Sequence, residues 1–329
     1  MTIHRTTLRA PLRIGAFALL AGVGMASLAA PAAGQAFYLQ EQSARGAGRA
    51  FSGEVADTGA ASLWWNPAAN ADAEQAEVVL NASAILPKGK VVDNGTLIRR
   101  PGQPFAPIGG DPTSRDPINN GVLPSGAFSF PLGRGVAFGL AVTSPYSFTT
   151  DYDSDSWARY SADKTKLRTI DIQPSLSASL TDWLRVGGAV NVEYSDATLS
   201  NRLPNVLATL PDGDQRLKGD GWDLGWTAGV QLHDATKTIG IAYKSSIEHT
   251  LKGSLEVTGL VGPLAGSNLS LDGVKARFST PAQIIVGGRY RVTPALTLNG
   301  QVVRFTWSKF DAIRLAALSS PHRVVRVDS

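Results

Sequence analysis

The feature that most constrains the fold is a two-residue alternation of side chains, which recurs from Gly126 onward. In one segment the larger apolar residues Val136, Phe138 and Leu140 alternate with small residues. Further segments of this kind lie at 172–180, 184–194, 226–232, 283–292 and 296–307. A period of two is the period of a β-strand that has one apolar face. The sequence therefore predicts an all-β protein.

The longest alternating stretch runs from Ile239 to Val257 in what reads as one unbroken phase, with Lys244 and Lys252 on the opposite face. We expect one strand to carry all of it. At about 3.3 Å per residue such a strand reaches roughly 60 Å, well beyond the usual length in globular proteins. Strands of this length are typical of tall barrels that project above a membrane.

The connections between these segments alternate in length. Short turns are predicted at 132–134, 181–182, 234–236 and 293–294, and long polar segments at 86–123, 144–167, 195–223 and 258–278. Outer-membrane barrels have short turns on one side and long loops on the other, and they cross the membrane without apolar helices. This pattern predicts a transmembrane antiparallel β-barrel with about nine strands. An exported soluble β-sandwich is the alternative that alternation alone leaves open.

Residues 1–36 have the composition of an export signal: Arg5, Arg9 and Arg13 come first, and an uncharged apolar stretch and small residues follow. Cleavage is predicted after Gly34 or after Ala36. A membrane anchor is the alternative, but glycines and a proline interrupt the apolar stretch.

Net charge and cysteine content exclude several classes of function. The formal charge is +4, and three basic residues lie in the predicted signal, so the mature chain is close to neutral. A nucleic-acid partner, which requires a basic surface, is therefore not expected. Without cysteine the chain has no disulfides, no thiolate nucleophile and no thiolate metal ligand.

The number of predicted strands is odd, and residues 316–329 do not complete a further strand convincingly. Closed single-chain bacterial barrels normally have an even number of strands, and unpaired edges are not tolerated in lipid. We therefore expect a truncated or frameshifted chain with an incomplete barrel over residues 77–315.

Residues 37–76 do not alternate and are rich in Gly and Ala. They contain the run LQEQSARGAGRAFSGE, from Leu39 to Glu54, and then the motif Asn66-Pro67-Ala68. In this order the two motifs resemble the start of the outer-membrane hydrophobic-compound transporters of the FadL/TodX family. Further similarity lies at 145–148, 157–160, 174–176, 199–201 and 307–311.

The resemblance implies a 14-stranded barrel that is plugged by an N-terminal hatch, here residues 37–76, and that works as a single chain once the barrel is complete. It implies passive uptake of long-chain fatty acids or aromatic hydrocarbons, which leave through a lateral opening into outer-membrane lipid. A general diffusion porin and an exported β-sandwich binding protein are the alternatives.

The resemblance assigns the hatch or gate to Asn66, Pro67 and Ala68. Trp64 and Trp65 are candidates for substrate contact, although buried packing is the alternative for both. Arg159 is a candidate partner for a fatty-acid carboxylate because it lies beside aromatic residues. The other cations considered for that role are Lys244, Lys252, Arg289 and Arg291, although polar lumen walls carry such residues in any case.

No catalytic site, cofactor or metal is predicted. The four histidines are scattered along the sequence at positions 4, 233, 249 and 322, and no serine lies in a Gly-x-Ser-x-Gly motif. The chain is therefore expected to be a transporter and not an enzyme.

Overall fold

The computed structural model describes residues 37–309, 312–316 and 324–328. Residues 37–76, the N-terminal segment, contain one short helix, α1 (Ala44–Ala47), and 3-10 turns at Glu54–Ala56, Ala60–Ser62 and Pro67–Asn70. In the described part of the chain, no helix has both the length and the apolar character needed to cross a bilayer.

Antiparallel strands make up most of the rest. In chain order they are β1 (Glu77–Ile85), β2 (Lys90–Val92), β3 (Leu97–Arg99), β4 (Phe105–Pro107), β5 (Thr113–Arg115), β6 (Gly121–Gly133), β7 (Val136–Thr143), β8 (Ser147–Asp151), β9 (Lys164–Thr181), β10 (Leu184–Leu203), β11 (Gly213–His233), β12 (Lys237–Lys244), β13 (Ile247–Thr258), β14 (Leu269–Thr280), β15 (Gln283–Thr293), β16 (Leu296–Phe305), β17 (Ala312–Ala316) and β18 (Val324–Asp328). Further 3-10 turns lie at Trp157–Tyr160, Gly262–Ser267 and Trp307–Lys309.

Fourteen of these strands form one sheet, in which each wall strand pairs with the next along the chain. Four of the wall strands are interrupted, so that each consists of two consecutive strands: β7 with β8, β12 with β13, β14 with β15, and β16 with β17. Together with β1, β6, β9, β10 and β11 they make the nine wall strands that the sequence predicts. We call the two ends of the wall the turn end and the loop end, after the connections found there.

The expectation that residues 316–329 complete no strand is wrong. Strand β18 pairs with β17 in antiparallel register, from Ala312 opposite Asp328 to Ala316 opposite Val324. Five alternating residues are enough for a short strand when the neighbouring edge offers unpaired backbone groups.

The prediction of one continuous strand from Ile239 to Val257 is also wrong. Eight residues of β11, from Asp220 to Thr227, lie opposite nine residues of its partner, from Lys252 back to Lys244. The extra residue lies at 245–246, where Ser245 exchanges hydrogen bonds with Trp226. Such a bulge reverses the inward and outward faces of the strand.

The long polar connection predicted at 195–223 is mostly strand. Strands β10 and β11 pair continuously from Leu184↔Leu232 to Leu203↔Gly213, so only residues 204–212 connect them. Polar residues in this part of the wall alternate with apolar ones that point inward. The sequence predicts a loop there because the outward-facing residues of this part of the wall are no longer apolar.

The two faces of the wall differ in chemistry. On β11 the outward residues Trp222, Leu224 and Trp226 are more than half exposed, whereas the inward residues Thr227 and Gln231 are buried. Apolar side chains that protein does not cover are the expected surface toward lipid. The N-terminal segment packs on the inward face, where its 3-10 turns contact strands from β1 to β15.

Candidate functional site

The Asn66-Pro67-Ala68 motif lies flat against the inner wall near the turn end. Asn66 caps the 3-10 turn at Pro67–Asn70, since its Oδ1 accepts a hydrogen bond of 2.9 Å from the amide of Ala68. Its Nδ2 donates to the carbonyl of Val55, at 2.8 Å, and to that of Val230 on β11, at 3.3 Å. One fully buried amide therefore joins two parts of the N-terminal segment to the wall.

A pair of glycines in the wall makes room for this motif. Gly187 on β10 lies directly opposite Gly229 on β11. A Cβ atom on Gly187 would lie 2.5 Å from the amide nitrogen of Ala68, and one on Gly229 would overlap Oδ1 of Asn66. Only glycine lets the backbone of the segment approach the strands so closely.

Two further side chains anchor the end of the segment. Asn70 donates from Nδ2 to the carbonyl of Phe138 on β7, at 2.9 Å. Asp72 forms an ion pair with Arg185 on β10 and accepts a hydrogen bond from Ser179 on β9. Burial alone would raise the pKa of Asp72, but the hydrogen bonds from Ser179 and Arg185 outweigh it and hold that pKa below its usual range.

A charged cluster fixes the middle of the segment. Asp57 pairs with Arg49 at 2.7 Å and with Arg45 at 3.2 Å, and it also contacts Arg289 on β15. The fully buried Glu54 pairs with Arg49. Three cations thus surround two carboxylates, so this cluster is internally neutralised to a large extent.

The wall has a break at residues 144–146, between β7 and β8. Strand β6 pairs with β7 only as far as Gly126↔Val142, and β8 pairs with β9 alone. The five residues of β6 nearest the loop end, 121–125, therefore pair with β1 on one side and have no strand neighbour on the other. We call this interruption the wall break.

The first residues of the N-terminal segment fill the wall break. Leu39 donates from its amide to the carbonyl of Pro145, at 2.8 Å. The side chain of Gln42 substitutes for a strand, because Oε1 accepts from the amide of Ser144 at 3.0 Å and Nε2 donates to its carbonyl at 3.1 Å. Tyr38 forms an isolated antiparallel bridge with Tyr146.

The same residues also reach the opposite edge of the break. Ser125 on β6 donates from Oγ to the carbonyl of Gln42, at 2.8 Å, and Ser83 on β1 donates to that of Glu41, at 2.9 Å. The segment thus holds together two edges of the wall that have no direct strand pairing in the described structure.

An apolar cavity lies inside the wall on the loop-end side of the break, with about 500 Å³ of empty space including its open mouth. Of its lining residues, Thr165 alone has a polar side chain. They are Phe37, Phe148, Thr165, Leu167, Ala197, Leu199, Leu217, Gly219, Leu251, Ala276 and Phe278. Phe37, the first described residue of the N-terminal segment, stacks edge-on with Tyr146 of the wall break at 5.9 Å.

A second, polar chamber lies beside the wall break. Trp64, Pro145, Tyr146, Asp171, Glu193 and Lys244 are among its lining residues. Lys244 lies on the inward face of β12, just before the bulge at 245–246. Its ammonium lies 4.1 Å from the ring centroid of Trp64 and donates to Gln173 at 3.2 Å.

His249 joins this chamber to the cavity. Its ring stacks on Phe278 of the apolar cavity at 4.8 Å. Its Nδ1 lies 3.0 Å from Oγ of Ser195 and 3.4 Å from Asp223, and its Nε2 lies 3.5 Å from Glu193. Among the described residues, no group of three or more His, Asp or Glu side chains is placed to hold a metal ion.

Trp64 and Trp65 lie directly before the Asn-Pro-Ala motif, but their side chains have different surroundings. Both are almost fully buried and meet edge to face at 5.1 Å. Trp64 lines the polar chamber, whereas Trp65 packs against Phe51 within the N-terminal segment. Contact of either residue with substrate stays a prediction, and the geometry favours Trp64.

Arg159 lies apart from these residues, in a 3-10 turn at the loop end. Its guanidinium donates to the carbonyls of Ser156 and Gly109, at 2.9 and 3.0 Å, and contacts Asp212 at 3.3 Å. Burial, and then the hydrogen bond that Tyr160 donates to Asp212, raise the pKa of the Tyr160 hydroxyl. These contacts tie loops together, and the role of Arg159 in substrate binding stays a prediction.

The other candidate cations also have separate positions. Lys252 is exposed on the outward face, Arg289 pairs with Asp57, and Arg291 donates to the carbonyl of Ala235 in a turn. Of the four, Lys244 alone lines a cavity of the inner wall described above.

Sequence reasoning missed Gln42, the glycine pair and the buried carboxylates Asp171 and Glu193. Gly187 and Gly229 give a local signal, since each is a small residue at an inward position of a strand. Gln42 gives none, because its role depends on a break in a strand about a hundred residues later.

Comparison with known proteins decides the family. The family model of the outer membrane protein transport protein family (OMPP1/FadL/TodX) matches residues 24–327. The chain belongs to this family. It is accordingly a protein of the bacterial outer membrane, and the predicted resemblance and transmembrane β-barrel fold are confirmed.

Relatives and solved structures agree with this assignment. The 47 kDa outer membrane protein of Pasteurella multocida is 27% identical over 315 residues, which cover 88% of this chain and 70% of the relative. The long-chain fatty acid transport protein of Escherichia coli O6:H1 is 24% identical over 329 residues, 90% of this chain and 71% of the relative.

Among structures, a Pseudomonas aeruginosa FadL homologue matches with a TM-score of 0.72 at 22% identity, over 89% of this chain and 74% of that one. The Ralstonia pickettii toluene transporter TbuX matches with a TM-score of 0.60 at 19% identity, over 83% and 75%. At these identities the structures support the fold alone.

Proposed function

We propose that this protein takes up hydrophobic molecules passively across the outer membrane. Cargo enters the apolar cavity from the loop end and leaves sideways through the wall break. One observation carries the proposal: the N-terminal segment that lines the cavity with Phe37 also fills the break with Tyr38, Leu39 and Gln42. Movement of one short stretch would therefore couple occupancy of the cavity to opening of the wall.

The physical chemistry requires no energy source. An apolar molecule gains about 25 cal/mol for each Å² of surface that it removes from water, and the cavity wall offers apolar carbon with little polar competition. A side exit leads directly into the lipid beside the wall, so the molecule does not return to water. The concentration gradient of the molecule and its affinity for lipid then suffice for net uptake.

Several finer assignments follow from this proposal. Residues 37–76 act as the hatch, with Asn66, Pro67 and Ala68 holding it to the wall, and residues 77–315 supply wall strands and loops. Residues 1–36 act as a signal that is removed after Gly34 or Ala36. The protein works as one chain, with hydrophobic solutes and membrane lipid as its partners, and it catalyses no reaction.

The experiment uses the absence of cysteine from the chain. Residues paired across an antiparallel bridge have Cα atoms about 4.5–5.5 Å apart, within the range that a disulfide spans. We would therefore replace both Tyr38 and Tyr146 by cysteine and measure uptake of a labelled hydrophobic compound, such as naphthalene, in cells that lack their own importer. Oxidation should abolish uptake, and reduction of the same cells should restore it.

The reduced double variant lacks the same two aromatic rings as the oxidised one, so a difference in uptake between them reports the disulfide alone. Single-cysteine variants, Tyr38→Cys and Tyr146→Cys, should not respond to oxidation. Uptake that continues after complete cross-linking would contradict exit through the wall break. A general porin predicts a large steady ion current through the purified protein, whereas a filled lumen predicts a small one.

A further inference from the structure

The apolar cavity offers no counter-charge to an ionised cargo. None of its lining side chains is ionisable. Placing a carboxylate in such surroundings is strongly unfavourable unless a cation or hydrogen-bond donors meet it. Hydrocarbon parts of a cargo are well accommodated here, and an anionic head group is not.

The polar chamber beside the cavity does not provide the missing cation. It contains two carboxylates, those of Asp171 and Glu193, and one ammonium, that of Lys244. All three side chains are at least nine-tenths buried. Counted with every group ionised, the chamber has a formal charge of −1, and Asp223 adds a further carboxylate on the far side of His249.

Lys244 already has partners within the chain. Its ammonium faces the ring of Trp64 and donates to Oε1 of Gln173. An incoming carboxylate would have to displace these contacts and approach Asp171 and Glu193 at the same time. Like charges inside a low-dielectric interior repel strongly, so this approach is unfavourable.

The position of the chamber makes it a filter. Pro145 and Tyr146 belong both to the wall break and to the lining of the chamber. Cargo that leaves the cavity through the break must therefore pass the acidic side chains. We propose that this protein is selective for uncharged hydrophobic molecules, and that Glu193 and Asp171 are the residues that reject carboxylates. The inference rests on the proposed function.

The test compares two ligands with one carbon skeleton, naphthalene and 2-naphthoate. Both are compact and rigid, so the carboxylate cannot reach back to solvent at the mouth on a flexible chain. Binding to the purified full chain in non-ionic detergent is measured at pH 7.5, and partitioning into protein-free micelles is subtracted. We expect naphthalene to bind at least roughly tenfold more tightly than 2-naphthoate.

Variants then assign the discrimination to the chamber. Glu193→Gln keeps the shape of the side chain and removes one negative charge, and it should raise the affinity for 2-naphthoate roughly threefold while leaving that for naphthalene unchanged. Asp196→Asn is the matched control, because Asp196 lies three residues further along β10, points outward and pairs with Lys166 at 2.6 Å. It should change neither affinity.

Binding of 2-naphthoate as tight as that of naphthalene, or tighter, would overturn the inference while leaving the proposed function intact. Equal changes in 2-naphthoate affinity in Glu193→Gln and Asp196→Asn would do the same. The naphthalene measurement reports whether the Gln variant is folded, since its cavity is otherwise unchanged. If wild-type protein binds neither ligand, the proposed function itself fails and the inference fails with it.

Discussion

The two ends of the N-terminal segment are held in different ways. Its later part, at 66–72, is tied to regular strands by buried side-chain hydrogen bonds, an ion pair and a seat of two glycines. Its first part, Phe37 to Ser43, is tied mainly to residues 144–146, which belong to no strand. The comparison indicates that the later part is the fixed point of the segment and the first part is where it opens.

The largest effect is expected from filling the space that Gly187 and Gly229 leave for the motif. Gly229→Leu places a side chain where Oδ1 of Asn66 now lies, so the motif must leave the wall. We expect a loss of about 3 kcal/mol or more in the free energy of unfolding, and rapid proteolysis within residues 37–76. Gly188→Leu, on the outward face where a Cβ meets nothing within 4 Å, is the control and should be close to neutral.

A smaller effect is expected from Asn66→Ala. This change removes one cap and two donated hydrogen bonds and leaves the carbonyl of Val55 with Gln231 as its remaining donor. The expected cost is about 1–3 kcal/mol, measured by thermal unfolding in detergent, together with altered uptake. Asn94→Ala, in an exposed loop, should change neither quantity. Unaltered uptake would contradict the role of the motif in gating.

Acidification tests the ion pair at the end of the segment. The pKa of Asp72 is lower in the folded protein than in the unfolded chain, so its contribution to stability is present above the ordinary value of about 4 and is lost as the pH falls through the lowered value. Protease sensitivity of the segment should therefore increase below about pH 4. Asp72→Asn should show less of this pH dependence, and an identical profile would exclude Asp72 as its source.

The smallest effect is expected at the first part of the segment. Gln42→Ala removes two hydrogen bonds to Ser144 and should cost about 1 kcal/mol of stability. It should nevertheless increase the uptake of a neutral cargo, because the wall break is then less firmly closed. Gln40→Ala, two residues earlier, serves as the comparison. A decrease in uptake would show that the first part of the segment guides cargo rather than blocking it.

Much of the wall could be predicted from the sequence because one face of each strand meets lipid and the other meets polar groups. Strands such as β7 and β9 alternate cleanly for that reason. Prediction failed at β12 and β13, where a single extra residue at 245–246 changes the face without changing the composition. The two serines give no local signal of the bulge, since serines also lie in the regular strand β9.

For the candidate site, the sequence indicated the region and not the contacts. The Asn-Pro-Ala motif could be assigned from its order after the Gly-rich run. The pairing of Gln42 with Ser144 and of Asp72 with Arg185 joins residues about a hundred positions apart. No pattern in a single sequence encodes such long-range pairs, because they depend on how the strands are arranged in space.

The bulge at 245–246 makes one wall strand unusually tolerant of the loss of a single codon in its gene. Before the bulge, Ile239, Ile241 and Tyr243 face the lipid, and after it Ile247 and Leu251 face the interior. Loss of one serine codon would remove the bulge and leave both faces as they are, because the residues on either side already pair with β11 as a regular strand would, from Thr227↔Lys244 to Asp220↔Lys252. The same loss inside a regular strand such as β9 would instead turn the following residues to the opposite face.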